Sequence, residues 1–154
     1  MTKQHSPKGE SIVILLIEDN TGHAELIMRN FKAYRVANKL VHVTDGEAAL
    51  DYLFQRGKYL DPVENPQPHL ILLDLRLPRI DGLEVLKTIK ASEKLCKIPV
   101  VILTTSEAEQ DVAHAYQNHV NSYLVKPVDF NKFTELMKEL GFYWLAWNYY
   151  PWLK

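Results

Sequence analysis

Short apolar runs recur along the chain: SIVILLIE (11–18), KLVHVT (39–44), HLILLDL (69–75), IPVVILTT (98–105) and NSYLVK (121–126). Each is rich in Val, Ile and Leu with little alternation, the pattern of strands buried on both faces. Between the runs, apolar positions fall three and four apart, which predicts helices. Ala24, Ile27, Met28, Phe31 and Tyr34 form the first set. Ala48, Ala49, Tyr52, Leu53 and Arg56 form the second, behind Asp45 as N-cap. Leu83, Leu86, Ile89 and Lys90 form the third. The fourth stretch, EAEQDVAHAYQNH, is weaker and more polar, and the fifth carries Phe133, Leu136, Met137 and Leu140 behind Asp129.

Five strands alternating with five helices predict a doubly wound α/β fold, a five-stranded parallel sheet covered on both faces. Right-handed crossovers leave few topologies. The order 2-1-3-4-5 is taken from known flavodoxin-like folds and not from this chain. The one long connection, GKYLDPVENPQP (57–68), holds three prolines and is expected to be irregular. The organisation expected is a disordered lead-in (1–10), one compact domain (11–140) and an aromatic extension (141–154).

Composition narrows the class. At 154 residues, 47% apolar and 24% charged, the chain has the size and make-up of one soluble globular domain. Its net charge of −1 and lack of a basic stripe argue against direct nucleic-acid binding. The apolar runs are too short to span a bilayer, and the polar start MTKQHSPKGES lacks the core of a signal peptide. A single cysteine, Cys96, excludes an internal disulfide and fits a cytoplasmic location.

Three acids stand where apolar strands end: Glu18 and Asp19 after IVILLI, and Asp74 after LILL. In the order 2-1-3-4-5 these strands flank the point where strand order reverses, where open α/β sheets bind ligands. At ~6 Å and an effective dielectric of about 20, each carboxylate pair repels by roughly 3 kcal/mol. A hard cation is the natural compensator, and Mg²⁺ takes one or two carboxylates together with water and phosphate. Thr104 and Lys126 close two further strands and bring a hydroxyl and an ammonium to the same rim. Together these groups suit a phosphoryl group held on a carboxylate. Taken singly, each acid could be a helix N-cap, Thr104 a strand-end hydroxyl and Lys126 a solvated charge.

With LLIEDN (15–20), ILLDLRLPRIDGLEVL (71–86), IPVVILTTS (98–106) and YLVKPVD (123–129), the sequence resembles the CheY-like receiver domains of two-component response regulators. The resemblance implies that Asp74 is the phosphorylated residue in a phosphorelay. It implies that Glu18 and Asp19 bind Mg²⁺ together with Asp74 and the backbone carbonyl of Arg76. Lys126 would pair with phosphoryl oxygens, Thr104 and Tyr123 would be the switch hydroxyl and switch aromatic, and Arg76 and Ser106 would tune phosphoryl lifetime. A closer resemblance, carried by YLFQRGKY, ILTTSEAEQDV, KPVDFNKF and the FYWL tail, is to stand-alone receivers that partner phytochrome-type histidine kinases in cyanobacteria. It implies a phospho-acceptor, not an enzyme, with no room for an output domain after Leu140.

Three rival readings differ in class. A flavodoxin-like carrier would need a Ser/Thr/Gly-rich phosphate loop after the first strand, where this chain has EDNTGHAE. An aspartyl-phosphate-forming phosphohydrolase would place its nucleophile after the first strand rather than the third. A non-phosphorylated scaffold would not need the complete acid set.

The tail GFYWLAWNYYPWLK carries seven aromatic residues: Phe142, Tyr143, Trp144, Trp147, Tyr149, Tyr150 and Trp152. Half of their surface, at ~150–250 Å² each, is roughly 500–900 Å², more than soluble monomers usually expose. Gly141 reads as a helix stop, although the pattern beyond it also allows helix. The extension is expected to form a homodimer interface with the fifth helix. Folding back over its own domain is the plainer alternative. Membrane contact is disfavoured because the tail's only basic residue is Lys154.

Overall fold

The structure, a computed structural model, describes residues 12–33 and 38–150. The lead-in (1–10), Tyr34 and Trp152 lie outside the described residues. In chain order the elements are β1 (Ile12–Ile17), α1 (Thr21–Lys32), β2 (Asn38–Val43), α2 (Gly46–Leu53), β3 (Leu70–Leu73), α3 (Gly82–Ala91), β4 (Val100–Thr104), α4 (Glu109–Gln117), β5 (Ser122–Val125) and α5 (Phe130–Gly141). All strand pairs are parallel, in the order β2-β1-β3-β4-β5. Among the described residues no helix is long and apolar enough to cross a membrane.

The apolar runs do not alternate in polarity, but their side chains still alternate between faces. Leu15, Ile17, Ile71, Leu73, Val100 and Ile102 join the core beneath α2 and α3. Ile14, Leu16, Leu70, Leu72, Val101 and Leu103 join the core beneath α1 and α5. Helix starts are fixed by side-chain caps: Asn20, Asp45, Asp81 and Asp129 each accept a backbone N–H from the first turn of α1, α2, α3 and α5. Helix α4 has no such cap, and Ala115 is its one buried residue, in line with its weak pattern.

The second helical set runs past the real helix. Helix α2 ends at Leu53, and Arg56 pairs with Asp51 at 3.0 Å instead of continuing it. Lys90 does not pack as an apolar position. Its ammonium donates to the carbonyls of Cys96 and Ile98, each at 2.9 Å, and so ties α3 to the entry of β4. The 57–68 connection is not wholly irregular, because Gly57–Tyr59 makes one 3₁₀ turn. Beyond it the Tyr52 hydroxyl donates to the Pro66 carbonyl at 2.6 Å.

Gly141 does not stop α5. Its φ and ψ are −63° and −42°, and the chain continues as a π-helical turn, Phe142–Trp147. The stop that glycine favours uses the left-handed conformation, which Gly141 does not adopt. The wider turn, closed by Asn148 N–H on the Tyr143 carbonyl at 2.8 Å, keeps the chain against the sheet. Leu145 and Tyr150 are thereby buried in the core under α1 and α5. Tyr150, expected in an intermolecular interface, faces its own domain. Its ring meets His69 edge-on and its hydroxyl donates to the Trp144 carbonyl at 2.8 Å. Trp144 is half-buried, whereas Phe142, Tyr143, Trp147 and Tyr149 are each more than half exposed.

Candidate functional site

The carboxyl ends of β1, β3, β4 and β5 converge on one rim. Glu18 follows β1 directly, and its backbone N–H donates to the Val43 carbonyl at 3.1 Å. Asp74 follows β3, with its N–H on the Ile17 carbonyl at 3.0 Å. Thr104 ends β4 and Lys126 follows β5, joined by Lys126 N–H on the Thr104 carbonyl at 2.7 Å. Sheet pairing thus fixes four functional side chains relative to one another. Gly82 lets α3 begin against β3: a Cβ there would lie 2.4 Å from the Asp74 carbonyl oxygen, a clash with backbone that cannot give way.

Glu18, Asp19 and Asp74 each present a carboxylate oxygen, and these oxygens lie within 4.8 Å of one another. Glu18 and Asp74 are buried and Asp19 is exposed. None of the three serves as the cap of α1 or α3; Asn20 and Asp81 do so. The Glu18 Oε2 accepts the Asn20 N–H at 3.1 Å, and the Asp74 Oδ1 accepts the Arg76 N–H at 3.2 Å.

The buried ammonium of Lys126 has three partners: Glu18 Oε1 at 2.7 Å, His23 Nδ1 at 2.9 Å and Asp74 Oδ2 at 3.0 Å. An ammonium only donates, so His23 accepts through Nδ1 and is neutral. Burial, then the charge of Lys126, holds the imidazole below its usual pKa. His23 was not singled out from the sequence. Its signal is its place in the first turn of α1, four residues after Asp19.

One ammonium cannot balance two buried carboxylates. Burial pushes Glu18 up to about 7, and the Asp74 charge adds to the effect, while Lys126 opposes it. Burial also acts to raise Asp74. There the charge of Lys126, bonds from Thr104 and Lys126, and the Arg76 N–H together outweigh it and hold the carboxyl below its usual range. Of the two, Glu18 takes up a proton the more readily and Asp74 keeps its charge. An uncompensated carboxylate cluster in this state fits a hard divalent cation.

Tyr123 and Ser106 stand beside this centre. The Tyr123 hydroxyl donates to the Ser106 carbonyl at 3.0 Å, and the ring is partly buried against the core. The Arg76 side chain turns away from the acids and pairs with Asp111 on α4 at 2.7 Å. The aromatic tail is not part of the rim. Tyr150 meets His69, which immediately precedes β3 and so lies at the opposite end of the strands.

Residues 14–138 match the response regulator receiver domain. The chain belongs to this family. Among curated relatives, the receiver is 47% identical over 142 residues to the probable methanogenesis regulatory protein FilR2 of Methanothrix harundinacea, covering 92% of this chain and 89% of that protein. It is 41% identical over 133 residues to the response regulator Rcp1 of Synechocystis, covering 86% of this chain and 88% of that one. Among solved structures, the Mn²⁺-bound form of Rcp1 superposes with a TM-score of 0.87 at 40% identity, covering 91% and 99% of the two chains. The phosphorylated cyanobacterial phytochrome response regulator RcpA superposes with a TM-score of 0.88 at 39% identity, covering 92% and 99%.

Proposed function

We propose that this receiver accepts a phosphoryl group on Asp74 from the phosphohistidine of a histidine kinase. The observation that carries the reading is the convergence of two further carboxylates, Glu18 and Asp19, with Lys126 and Thr104 on one charged, buried Asp74. An Asp74 carboxylate oxygen attacks phosphorus, the P–N bond breaks, and the kinase imidazole leaves with the electron pair. Lys126 then turns to the phosphoryl oxygens, and Thr104 donates its hydroxyl to them. Glu18, Asp19 and Asp74, with the Arg76 carbonyl, are the residues that would hold Mg²⁺. When bound, the ion neutralises the charge that carboxylates and phosphoryl group bring together. Withdrawal of the Thr104 hydroxyl toward the phosphoryl group makes room for the Tyr123 ring, the conformational output. The protein acts as a cytoplasmic phospho-acceptor rather than an enzyme with turnover on free substrates.

We propose further that the kinase is of phytochrome type. The likeness to Rcp1 and RcpA supports this, RcpA being a phytochrome response regulator. FilR2, named for methanogenesis, makes a kinase without a photosensor the necessary comparison. The decisive experiment offers both kinases, pre-labelled with ³²P, to wild type and Asp74→Asn. Transfer to wild type with no label on Asp74→Asn is expected, and faster from the phytochrome. Equal labelling of Asp74→Asn refutes the acceptor assignment. Transfer only from the other kinase refutes the partner.

The tail supports a homodimer. Phe142, Tyr143, Trp147 and Tyr149 point away from the core, and Tyr143 and Trp144 border a groove of about 460 Å³ beside edge strand β5, lined also by Leu124, Leu136 and Leu140. Two copies would cover these rings about a twofold axis. Sedimentation as a monomer at micromolar concentration, with and without phosphorylation, refutes it.

A further inference from the structure

Arg76 is rooted beside Asp74, where its backbone N–H donates to the Asp74 carboxylate. Its guanidinium, however, is held elsewhere. The Nη2 group donates to Asp111 Oδ2 at 2.7 Å, and the Ser106 hydroxyl donates to the same oxygen at 2.5 Å. The two partners are unequal: the Asp111 side chain is 15% exposed and that of Arg76 is 62% exposed. Asp111 is fixed in the first turn of α4, and Ser106 braces it. The same Ser106 oxygen accepts the Ala108 N–H at 3.3 Å, at a helix start that has no side-chain cap of its own. Arg76 is therefore the partner that can move.

A phosphoryl group on Asp74 adds three strong acceptor oxygens two residues from the root of this arginine. A guanidinium binds such oxygens as readily as a carboxylate, and it cannot serve both fully. We propose that Asp111 is a positioning residue that holds Arg76 away from Asp74, so that this ion pair sets how long the phosphoryl group survives hydrolysis. The proposal rests on the reading of Asp74 as the phosphoryl acceptor. It links Arg76 and Ser106, two residues that the family resemblance associates with lifetime, through one carboxylate that the resemblance did not mark.

The test compares four proteins: wild type, Asp111→Asn, Arg76→Ala and the double variant. Each is phosphorylated with acetyl phosphate and Mg²⁺, the donor is removed, and decay is followed by phosphate-affinity electrophoresis. Asparagine still accepts the Ser106 hydroxyl, so the start of α4 is kept, and circular dichroism verifies it. Asp111→Asn removes the charge that holds Arg76 and so lets the guanidinium turn to the more strongly charged phosphoryl group and shield it, and decay should slow about fivefold. In the Arg76→Ala background the same substitution should change nothing. Unchanged or faster decay in Asp111→Asn overturns the proposal. So does an equal change in both backgrounds, which would mark a role through α4 alone. A wild type that takes no label, like Asp74→Asn, overturns the acceptor reading itself and the proposal with it.

Discussion

The Lys126 ammonium lies 2.7 Å from Glu18 Oε1, joining residues 108 apart in sequence inside a buried site. The same ammonium holds Asp74. Removing it strands two buried carboxylates, which is far costlier than losing a surface pair. Lys126→Met should lower stability by ~3–5 kcal/mol, towards the lower end because Glu18 can take up a proton. Urea denaturation in chelator measures this, and a loss below ~1 kcal/mol would show the pair to be effectively solvated.

Glu18 gives the metal-free protein a pH signature. Its folded pKa is raised from 4.5 to about 7, so the folded state keeps a proton that the unfolded chain releases. The resulting stability is fully present below about pH 4.5 and is lost as pH rises through about 7. His23 works in the opposite direction: its folded pKa is lowered, so its contribution is lost as pH falls. Glu18→Gln isolates the first effect. The difference in melting temperature between variant and wild type should widen in favour of the variant from pH 5 to pH 7.5, both values taken roughly from the window that linkage defines. A constant difference would show that the Glu18 pKa is not shifted into this window.

His23→Leu removes one of the three acceptors around Lys126 while leaving both carboxylates in place. The fold should survive, and phosphorylation by acetyl phosphate should slow by about three- to tenfold as Lys126 loses its fixed orientation. His23→Gln, which can still accept, should recover part of the rate. Identical rates in wild type and His23→Leu would remove the residue from the site.

The two faces of the tail should separate in mutation. Tyr150→Ala empties a core position and should cost ~3–5 kcal/mol in the folding of each chain. Trp147→Ser alters an exposed ring that meets Phe142 edge-on at 6.3 Å. It should cost no more than ~1 kcal/mol in folding but weaken self-association. Chemical denaturation and sedimentation read these effects independently.

Gly82→Ala should destabilise by about 1–3 kcal/mol or more, because the added methyl meets the Asp74 backbone. Phosphorylation should suffer with it, since α3 and Asp74 must separate. A fully stable variant would show that the β3–α3 junction is looser than its geometry indicates.

The sequence by itself determined the five strands, their parallel arrangement and the identity of the acid cluster. Buried parallel strands must be continuous apolar runs, and strand ends must be where polar function begins, so both features are written locally. Helix starts at Asp45 and Asp129 were legible for the same reason: a cap acts within three residues. The tertiary structure decided the rest. That His23 completes the Lys126 shell depends on tertiary packing that brings the first turn of α1 to a lysine 103 residues away. That Asp111 holds Arg76 depends on where α4 sits, a helix with too little apolar pattern to announce its own docking. The tail shows the limit most plainly. Its aromatic richness predicted burial, but Tyr150 and Leu145 were claimed by the chain's own core because the helix passed through Gly141. Burial is demanded by the side chains, whereas the surface that supplies it is fixed only when the whole chain has folded.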